Sequence, residues 1–338
     1  MNIGVIGAGG WGTALAVLLA HKGYTVYIWV RRQELLTSFL QNRENSDYLP
    51  GVTIPENIFP SIHLEEVVQG KDLLVLAVPS HVVEDMMYRL NSIIEEGTII
   101  VNVAKGLVKL NRVSEIMEHS LRSGGINSCS VAVLSGPNHA EEVSRFVPTA
   151  TVISSTQEEV AEKVQDVFIT PFFRVYINLD IIGVELGGAL KNIIALGAGV
   201  CDGLRFGDNT KAALLTRGLA EITRLGAAMG AKKQTFSGLS GMGDLFVTCA
   251  STHSRNRYVG MMLGEGKALN EIISSMKMVA EGIKSTQAAF ELSRKYEVDM
   301  PITREVYAIL FEGRDPEEAA YNLMKREKAY ELEEDYLK

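Results

Sequence analysis

Residues 3–12 read Ile3-Gly4-Val5-Ile6-Gly7-Ala8-Gly9-Gly10-Trp11-Gly12, followed by Thr13-Ala14-Leu15-Ala16-Val17-Leu18-Leu19. The apolar run from Ile3 to Ile6 predicts a buried strand, and the run from Thr13 predicts a helix. Between them Gly7, Gly9 and Gly12 fall in the spacing G-x-G-x-x-G. In that setting one glycine makes the tight turn, one lets backbone approach a pyrophosphate, and one lets helix pack on strand. The free N–H groups and the positive dipole end of the helix then face the phosphates. A strand before and a helix after are the context that separates a dinucleotide site from an ordinary strand-to-helix turn.

Tyr24-Thr25-Val26-Tyr27-Ile28-Trp29 predicts the second strand. An NAD-preferring unit carries an acidic residue about 20 positions past the glycines, where it accepts from the ribose hydroxyls. This chain has Val30-Arg31-Arg32 there. Two guanidinium forks suit a 2′-phosphate. NADPH is therefore the expected and preferred cofactor, with NADH possible; a solvated basic turn is the competing reading.

Working outward, a helix is expected near 33–43, then a loop marked by Tyr48-Leu49-Pro50-Gly51 and a short extended piece between Pro55 and Pro60. Asp72-Leu73-Leu74-Val75-Leu76-Ala77-Val78 is nearly all apolar, as a central parallel strand covered on both faces should be. Ser80 is placed to cap the next helix. Further strands are expected at 98–103, 130–134, 149–153 and 173–177. Thr156 and Glu159 have the spacing of a capping box. Alternation of this kind implies an α/β fold with a doubly wound, Rossmann-type sheet.

From about Asp180 strand-like runs stop and 3.6-residue periodicity takes over. Helices are expected near 183–200, 211–229, 255–264, 268–276, 282–296 and 302–311. Arg217 and Glu221 are spaced as an i, i+4 pair. Asp315-Pro316-Glu317-Glu318 opens a last helix, and a charged tail runs to Lys338. The expected domains are 1–179, binding the dinucleotide, and 180–338, all-helical.

The 338 residues carry a net charge of -8, which gives no electrostatic footprint for nucleic acid. No run of about 18 uninterrupted apolar residues predicts a membrane span. The first residues enter a strand directly, so no secretory signal is expected. Cys129, Cys201 and Cys249 form no C-x-x-C, and the histidines are scattered, so neither a disulfide framework nor a metal site is expected. A reducing cytoplasm fits. Gly238-Leu239-Ser240-Gly241-Met242 breaks the serine-hydrolase elbow at its last position.

Lys191 stands out among the polar residues. It lies in Gly188-Ala189-Leu190-Lys191-Asn192-Ile193-Ile194-Ala195 with no carboxylate three or four positions away. Burying an ammonium there is costly and lowers its pKa, making a general base usable near neutrality; a lysine snorkelling to solvent is the alternative. Lys105 sits at the carboxyl end of a strand, where open α/β sheets bind ligands, or is a plain loop lysine. Gly136 permits close backbone approach, Asn138 offers an amide, and His139 is either an acid/base or structural. Asp244 could orient a lysine or simply cap a helix. Ser254-Arg255-Asn256 combines hydroxyl, guanidinium and amide at a helix start, as a phosphate site would; a solvated basic turn competes.

Taken together, these motifs resemble the soluble NAD(P)-dependent glycerol-3-phosphate dehydrogenases of bacteria over nearly the whole chain. The matching stretches include Gly-Ala-Gly-Gly-Trp-Gly-Thr-Ala from Gly7, Ala-Lys-Gly from Ala104, Leu-Ser-Gly-Pro from Leu134, Gly-Ala-Leu-Lys-Asn from Gly188, Gly-Met-Gly-Asp-Leu from Gly241 and Ser-Arg-Asn-Arg from Ser254. Val-Ala-Glu-Gly from Val279 and Met-Pro-Ile-Thr from Met300 complete the set. The resemblance implies hydride transfer between a nicotinamide and C2 of dihydroxyacetone phosphate or glycerol 3-phosphate, with Lys191 as proton acceptor and donor. It implies a substrate shell of Lys105, Gly136, Asn138, Lys191, Asp244, Ser254, Arg255 and Asn256. Implied cofactor contacts, beside Gly7, Gly9 and Gly12, are Gly10, Trp11, Arg31, Arg32, Lys105, Ala140, Arg255, Val279 and Glu281. Many relatives carry Ser at the Gly10 position, and Ser or Thr at that of Asn138. It further implies a cytoplasmic homodimer that supplies glycerol 3-phosphate for phospholipid synthesis. Another two-domain β-hydroxyacid dehydrogenase or ketoacid reductase, and a non-catalytic NADPH sensor, are the alternatives.

Overall fold

The computed structural model describes residues 1–276, 280–328 and 330–331. The first part of the chain alternates strands and helices: β1 (Asn2–Ile6), α1 (Gly10–His21), β2 (Thr25–Trp29), α2 (Gln33–Gln41), a hairpin of β3 (Glu44–Asn45) and β4 (Leu49–Thr53), then β5 (Ile58–Ser61). It continues with α3 (Leu64–Val68), β6 (Leu73–Leu76), α4 (Val83–Leu90), β7 (Ile99–Asn102), a hairpin of β8 (Leu107–Val108) and β9 (Asn111–Arg112), and α5 (Val113–Ser123). Then come β10 (Ser130–Ser135), α6 (Ala140–Val143), β11 (Thr149–Ser154), α7 (Glu158–Phe168) and β12 (Phe173–Ile177).

Eight of these strands form one sheet in the order β12-β11-β10-β7-β6-β1-β2-β5. Its pairings are parallel except β10 with β11. The link between those two holds only the single-turn helix α6, too short to carry the chain across the sheet, so β11 returns antiparallel and places Thr151 beside Ser135. The continuous apolar strands feed both faces by alternation. Leu73 and Val75 of β6 pack toward the core under α1, α2 and α7, whereas Leu74 and Leu76 pack toward that under α3, α4 and α5. Pro60 sits in β5, an edge strand, where its missing N–H costs no ladder bond.

Beyond Asp180 the described residues contain no strand. Asp180 caps α8 (Ile181–Gly203) by accepting from the Gly183 N–H at 3.0 Å. Then follow α9 (Asp208–Ala228), a π-helical turn at Leu239–Gly243, α10 (Asp244–Ala250), α11 (Arg255–Gly264), α12 (Leu269–Ser275), α13 (Glu281–Lys295), α14 (Pro301–Phe311) and α15 (Pro316–Met324). The second core gathers around α8. By length and composition α8 could cross a membrane, but 94% of its apolar window is buried inside the protein. Its glycines let α11 press against it: a Cβ on Gly199 would lie 2.0 Å from the Arg257 carbonyl oxygen, and one on Gly260 would lie 2.0 Å from that of Leu196.

Four local expectations fail. The loop expected at Tyr48-Leu49-Pro50-Gly51 is, from Leu49 on, strand β4, because this stretch pairs antiparallel with β3. The capping box at Thr156 does not form, because α7 starts at Glu158 with Gln157 as its N-cap. Ser80 caps no helix; its hydroxyl donates to Glu281 at 2.5 Å, a partner 201 residues away. Arg217 and Glu221 do not pair. The Glu221 carboxylate is buried and accepts from the Ile302 and Thr303 N–H groups at the start of α14, while Arg217 reaches the Glu331 carbonyl. Asp315 does cap α15, accepting from the N–H groups of Glu317 and Glu318. Most of the expected charged tail lies outside the described residues.

Candidate active site

The glycine loop has the backbone geometry that its spacing implies. Gly7 adopts a φ of +113°, and a Cβ there would sit 2.7 Å from the Ala77 carbonyl oxygen. A Cβ on Gly12 would lie 2.0 Å from the Gly7 carbonyl oxygen, so only glycine lets α1 pack this close to β1. A Cβ on Gly9 would meet nothing within 4 Å. Gly9 faces a cleft of about 750 Å³, lined also by Gly7, Gly10, Trp11 and Gly12. The first turn of α1 aims its unbonded N–H groups at the same space. The indole Nε1 of Trp11 is buried with no hydrogen-bond partner among the described residues. A bare backbone cradle with an orphaned donor beside it fits a dinucleotide pyrophosphate.

Arg31 and Arg32 line the same cleft beyond the end of β2. Arg32 is engaged: its Nη2 donates to Asp47 Oδ2 at 2.6 Å, and its guanidinium lies over the Tyr48 ring, 5.5 Å from the centroid. Ala140, the first residue of α6, also lines the cleft, as does Glu281, the first residue of α13. The Glu281 carboxylate accepts from the backbone N–H of Ser80 at 2.9 Å, tying α13 to the sheet. Val279 lies outside the described residues.

Opposite the glycine loop, two lysines share one carboxylate. Lys191 is 5% exposed and Asp244 1%. Lys191 Nζ donates to Asp244 Oδ1 and, at 2.7 Å, to Thr248 Oγ1. The Thr248 hydroxyl in turn donates to the Asp244 carbonyl at 2.6 Å, so its lone pairs are left for the ammonium. Lys105 Nζ stands 2.9 Å from Asp244 Oδ2, in ion-pair contact rather than hydrogen-bond alignment. It donates to the Gly136 carbonyl at 2.8 Å and to Asn138 Oδ1 at 2.7 Å. Burial drives the Lys191 pKa down to about 7, helped by the nearby Lys105 charge and opposed by Asp244. Two of the three ammonium donors of Lys191 are committed; Lys191 lines the cleft, leaving the third for a ligand there.

Ser254, Arg255 and Asn256 reach the cleft at the start of α11. Ser254 is the N-cap, accepting from the Arg257 N–H at 3.2 Å. Asn256 Nδ2 donates to Asn192 Oδ1 at 2.8 Å, and its Oδ1 accepts from the Gly282 N–H at 2.9 Å. Asn192 Nδ2 donates to the Lys105 carbonyl at 3.0 Å. This chain of amides joins the Lys105 loop, α8, α11 and α13 at one point.

Of the residues singled out above, Gly136 and Asp244 do not line the cleft. They stand behind Lys105 and Lys191 and hold them. Thr248, Asn192 and Thr151 were not singled out. Thr151 accepts from Asn138 Nδ2 at 3.0 Å, which fixes the amide so that its oxygen faces Lys105. Of these, Asn192 left a trace in the sequence, as the last residue of the Gly-Ala-Leu-Lys-Asn stretch, and Thr248 another, as the residue four positions after Asp244. His139 lines the cleft with Nε2 buried and unpartnered among the described residues, and its ring lies 5.9 Å from that of His253. Burial first, then Lys191 and Lys105, lower its pKa and hold it neutral.

Residues 2–161 match the family model for the N-terminus of NAD-dependent glycerol-3-phosphate dehydrogenase, and residues 180–321 match that for its C-terminus. A curated relative from Moorella thermoacetica, named glycerol-3-phosphate dehydrogenase [NAD(P)+], is 51% identical over 98% of each chain. One of the same name from Thermoanaerobacter is 50% identical over 98% of this chain and 99% of its own. The crystal structure of glycerol-3-phosphate dehydrogenase from Coxiella burnetii superposes with a TM-score of 0.92 at 37% identity, covering 96% of this chain and 99% of that one.

Proposed function

The chain belongs to the NAD-dependent glycerol-3-phosphate dehydrogenase family, and we propose that Lys191 moves the proton in its reaction. The protein is an NAD(P)-dependent oxidoreductase that interconverts dihydroxyacetone phosphate and glycerol 3-phosphate. The observation that supports Lys191 is the bridged pair: a buried amine with a pKa of about 7, one donor turned to the cleft, and a second cation 2.9 Å from the shared carboxylate.

The bound nicotinamide dinucleotide supplies or takes the hydride at substrate C2. Gly7, Gly9, Gly10, Trp11 and Gly12 would hold its pyrophosphate, with Ala140 and Glu281 along its length. Lys191 donates its proton to the C2 oxygen in reduction and, as the neutral amine, accepts it in oxidation. Asp244 and Thr248 aim the amine. Lys105, held by Gly136 and Asn138, orients the substrate. Arg255 and Asn256 clamp the phosphate at the start of α11, whose dipole and N–H groups favour an anion, and Ser254 shapes that turn.

Arg31 and Arg32 suit a 2′-phosphate, so NADPH is preferred among the two usable cofactors. Residues 1–179 serve as the dinucleotide-binding domain and 180–338 as the substrate domain. In the cell, a cytoplasmic homo-oligomer would supply glycerol 3-phosphate for phospholipid synthesis. The test is NADPH oxidation with dihydroxyacetone phosphate against a panel of small ketoacids without phosphate. Turnover confined to the phosphorylated substrate is expected; equal turnover with the ketoacids would contradict the phosphate clamp.

A further inference from the structure

We propose that Asp47 sets the balance between NADPH and NADH, by competing for Arg32 and by offering its carboxylate to a free ribose 2′-hydroxyl. The proposal rests on the reading that Arg31 and Arg32 face the adenosine ribose.

The end of β2 is where a dinucleotide fold of the NAD type places its acidic residue, and here that stretch is basic. The structure brings an acid to the same place from elsewhere in the chain. Asp47 Oδ2 lies 2.6 Å from Arg32 Nη2, and the same Nη2 lies 3.3 Å from the Tyr48 hydroxyl. The loop carrying Asp47 is pinned to the glycine loop. The buried Asn45 donates to the Ala8 carbonyl at 3.0 Å and to Thr13 Oγ1 at 2.7 Å. The Tyr48 carbonyl oxygen would lie 2.9 Å from a Cβ on Gly10. Asp47 does not itself line the cleft; it stands at the edge, paired with Arg32, which together with Tyr48 does, and contacts that reach the cofactor cradle hold it there.

The pair is also easy to exchange. The Arg32 and Asp47 side chains are 41% and 44% exposed, so their attraction is screened by water and salt. Arg31 is exposed at the same end of the cleft. A 2′-phosphate, with nearly two negative charges, draws Arg32 from Asp47 and then faces the displaced carboxylate as a like charge. A 2′-hydroxyl leaves the ion pair intact and donates to Asp47. The carboxylate thus penalises NADPH and helps NADH, which makes one site serve both.

Asp47→Asn keeps the shape and removes the charge. The ratio of kcat/KM for NADPH to that for NADH should rise at least about tenfold. Binding of 2′,5′-ADP by calorimetry should tighten while that of 5′-ADP weakens. Arg32→Ala should move the ratio the other way. An unchanged ratio in Asp47→Asn, with Arg32→Ala still lowering it, would overturn the proposal and leave the arginine reading standing. An unchanged ratio in both variants would overturn both.

Discussion

Lys105 and Asp244 meet at 2.9 Å although one follows a strand of the sheet and the other opens a helix of the C-terminal half. The carboxylate they share with Lys191 makes the acidity of that amine a product of both halves of the chain. Burial and Lys105 push its pKa down; Asp244 holds it up.

Opposite pH shifts follow. With Lys191 as the proposed proton donor in reduction, kcat/KM for dihydroxyacetone phosphate should fall as pH rises through about 7, and oxidation should gain over the same range. Asp244→Asn removes the group that raises the pKa and should move both limbs to lower pH. Lys105→Met removes the neighbouring cation and should move them higher. Profiles measured in both directions check this; limbs that stay in place in both variants would disconnect the pair from the chemistry.

Thr248→Val tests the aiming of Lys191. It deletes an acceptor 2.7 Å from the amine while nearly preserving shape. A hydrogen bond to a charged group is worth about 1.5–3 kcal/mol. The kcat should therefore fall roughly 10- to 100-fold, with NADPH affinity within about twofold of wild type. Steady-state kinetics and fluorescence titration measure the two quantities separately.

The glycine loop predicts a contrast between two similar changes. Gly9→Ala places its methyl in open space and should melt within a few degrees of wild type, yet bind NADPH at least about tenfold more weakly. Gly12→Ala drives its methyl into the Gly7 carbonyl, 2.0 Å away, and should destabilise by about 1–3 kcal/mol or more. Thermal melts with and without NADPH distinguish the two effects.

Legibility from sequence followed the range of the interactions. Local signals carried the glycine turn, the apolar strands and the Asp315 cap, because each depends on residues within one turn or one strand. The reversal at β11 was not legible, since nothing local shows that a link is too short to cross the sheet. Ser80 and Glu221 are polar residues whose true partners, Glu281 and the start of α14, lie 201 and about 81 positions away. Their local patterns therefore suggested the wrong bonds. The site behaved alike. Lys191 stood out as an ammonium in an apolar helix, but Thr248, 57 residues on, and Asn192, which joins Lys105 to Asn256, gain their meaning only when α8, α10 and α11 are packed.

The central claim is that Lys191 carries the proton. Lys191→Met keeps the buried volume and removes the amine. Single-turnover reduction of dihydroxyacetone phosphate by this variant, with its NADPH affinity measured alongside, addresses the claim most directly. The expected result is a loss of about 10²–10⁴ in rate with NADPH still bound as in wild type. A rate near that of wild type would contradict it.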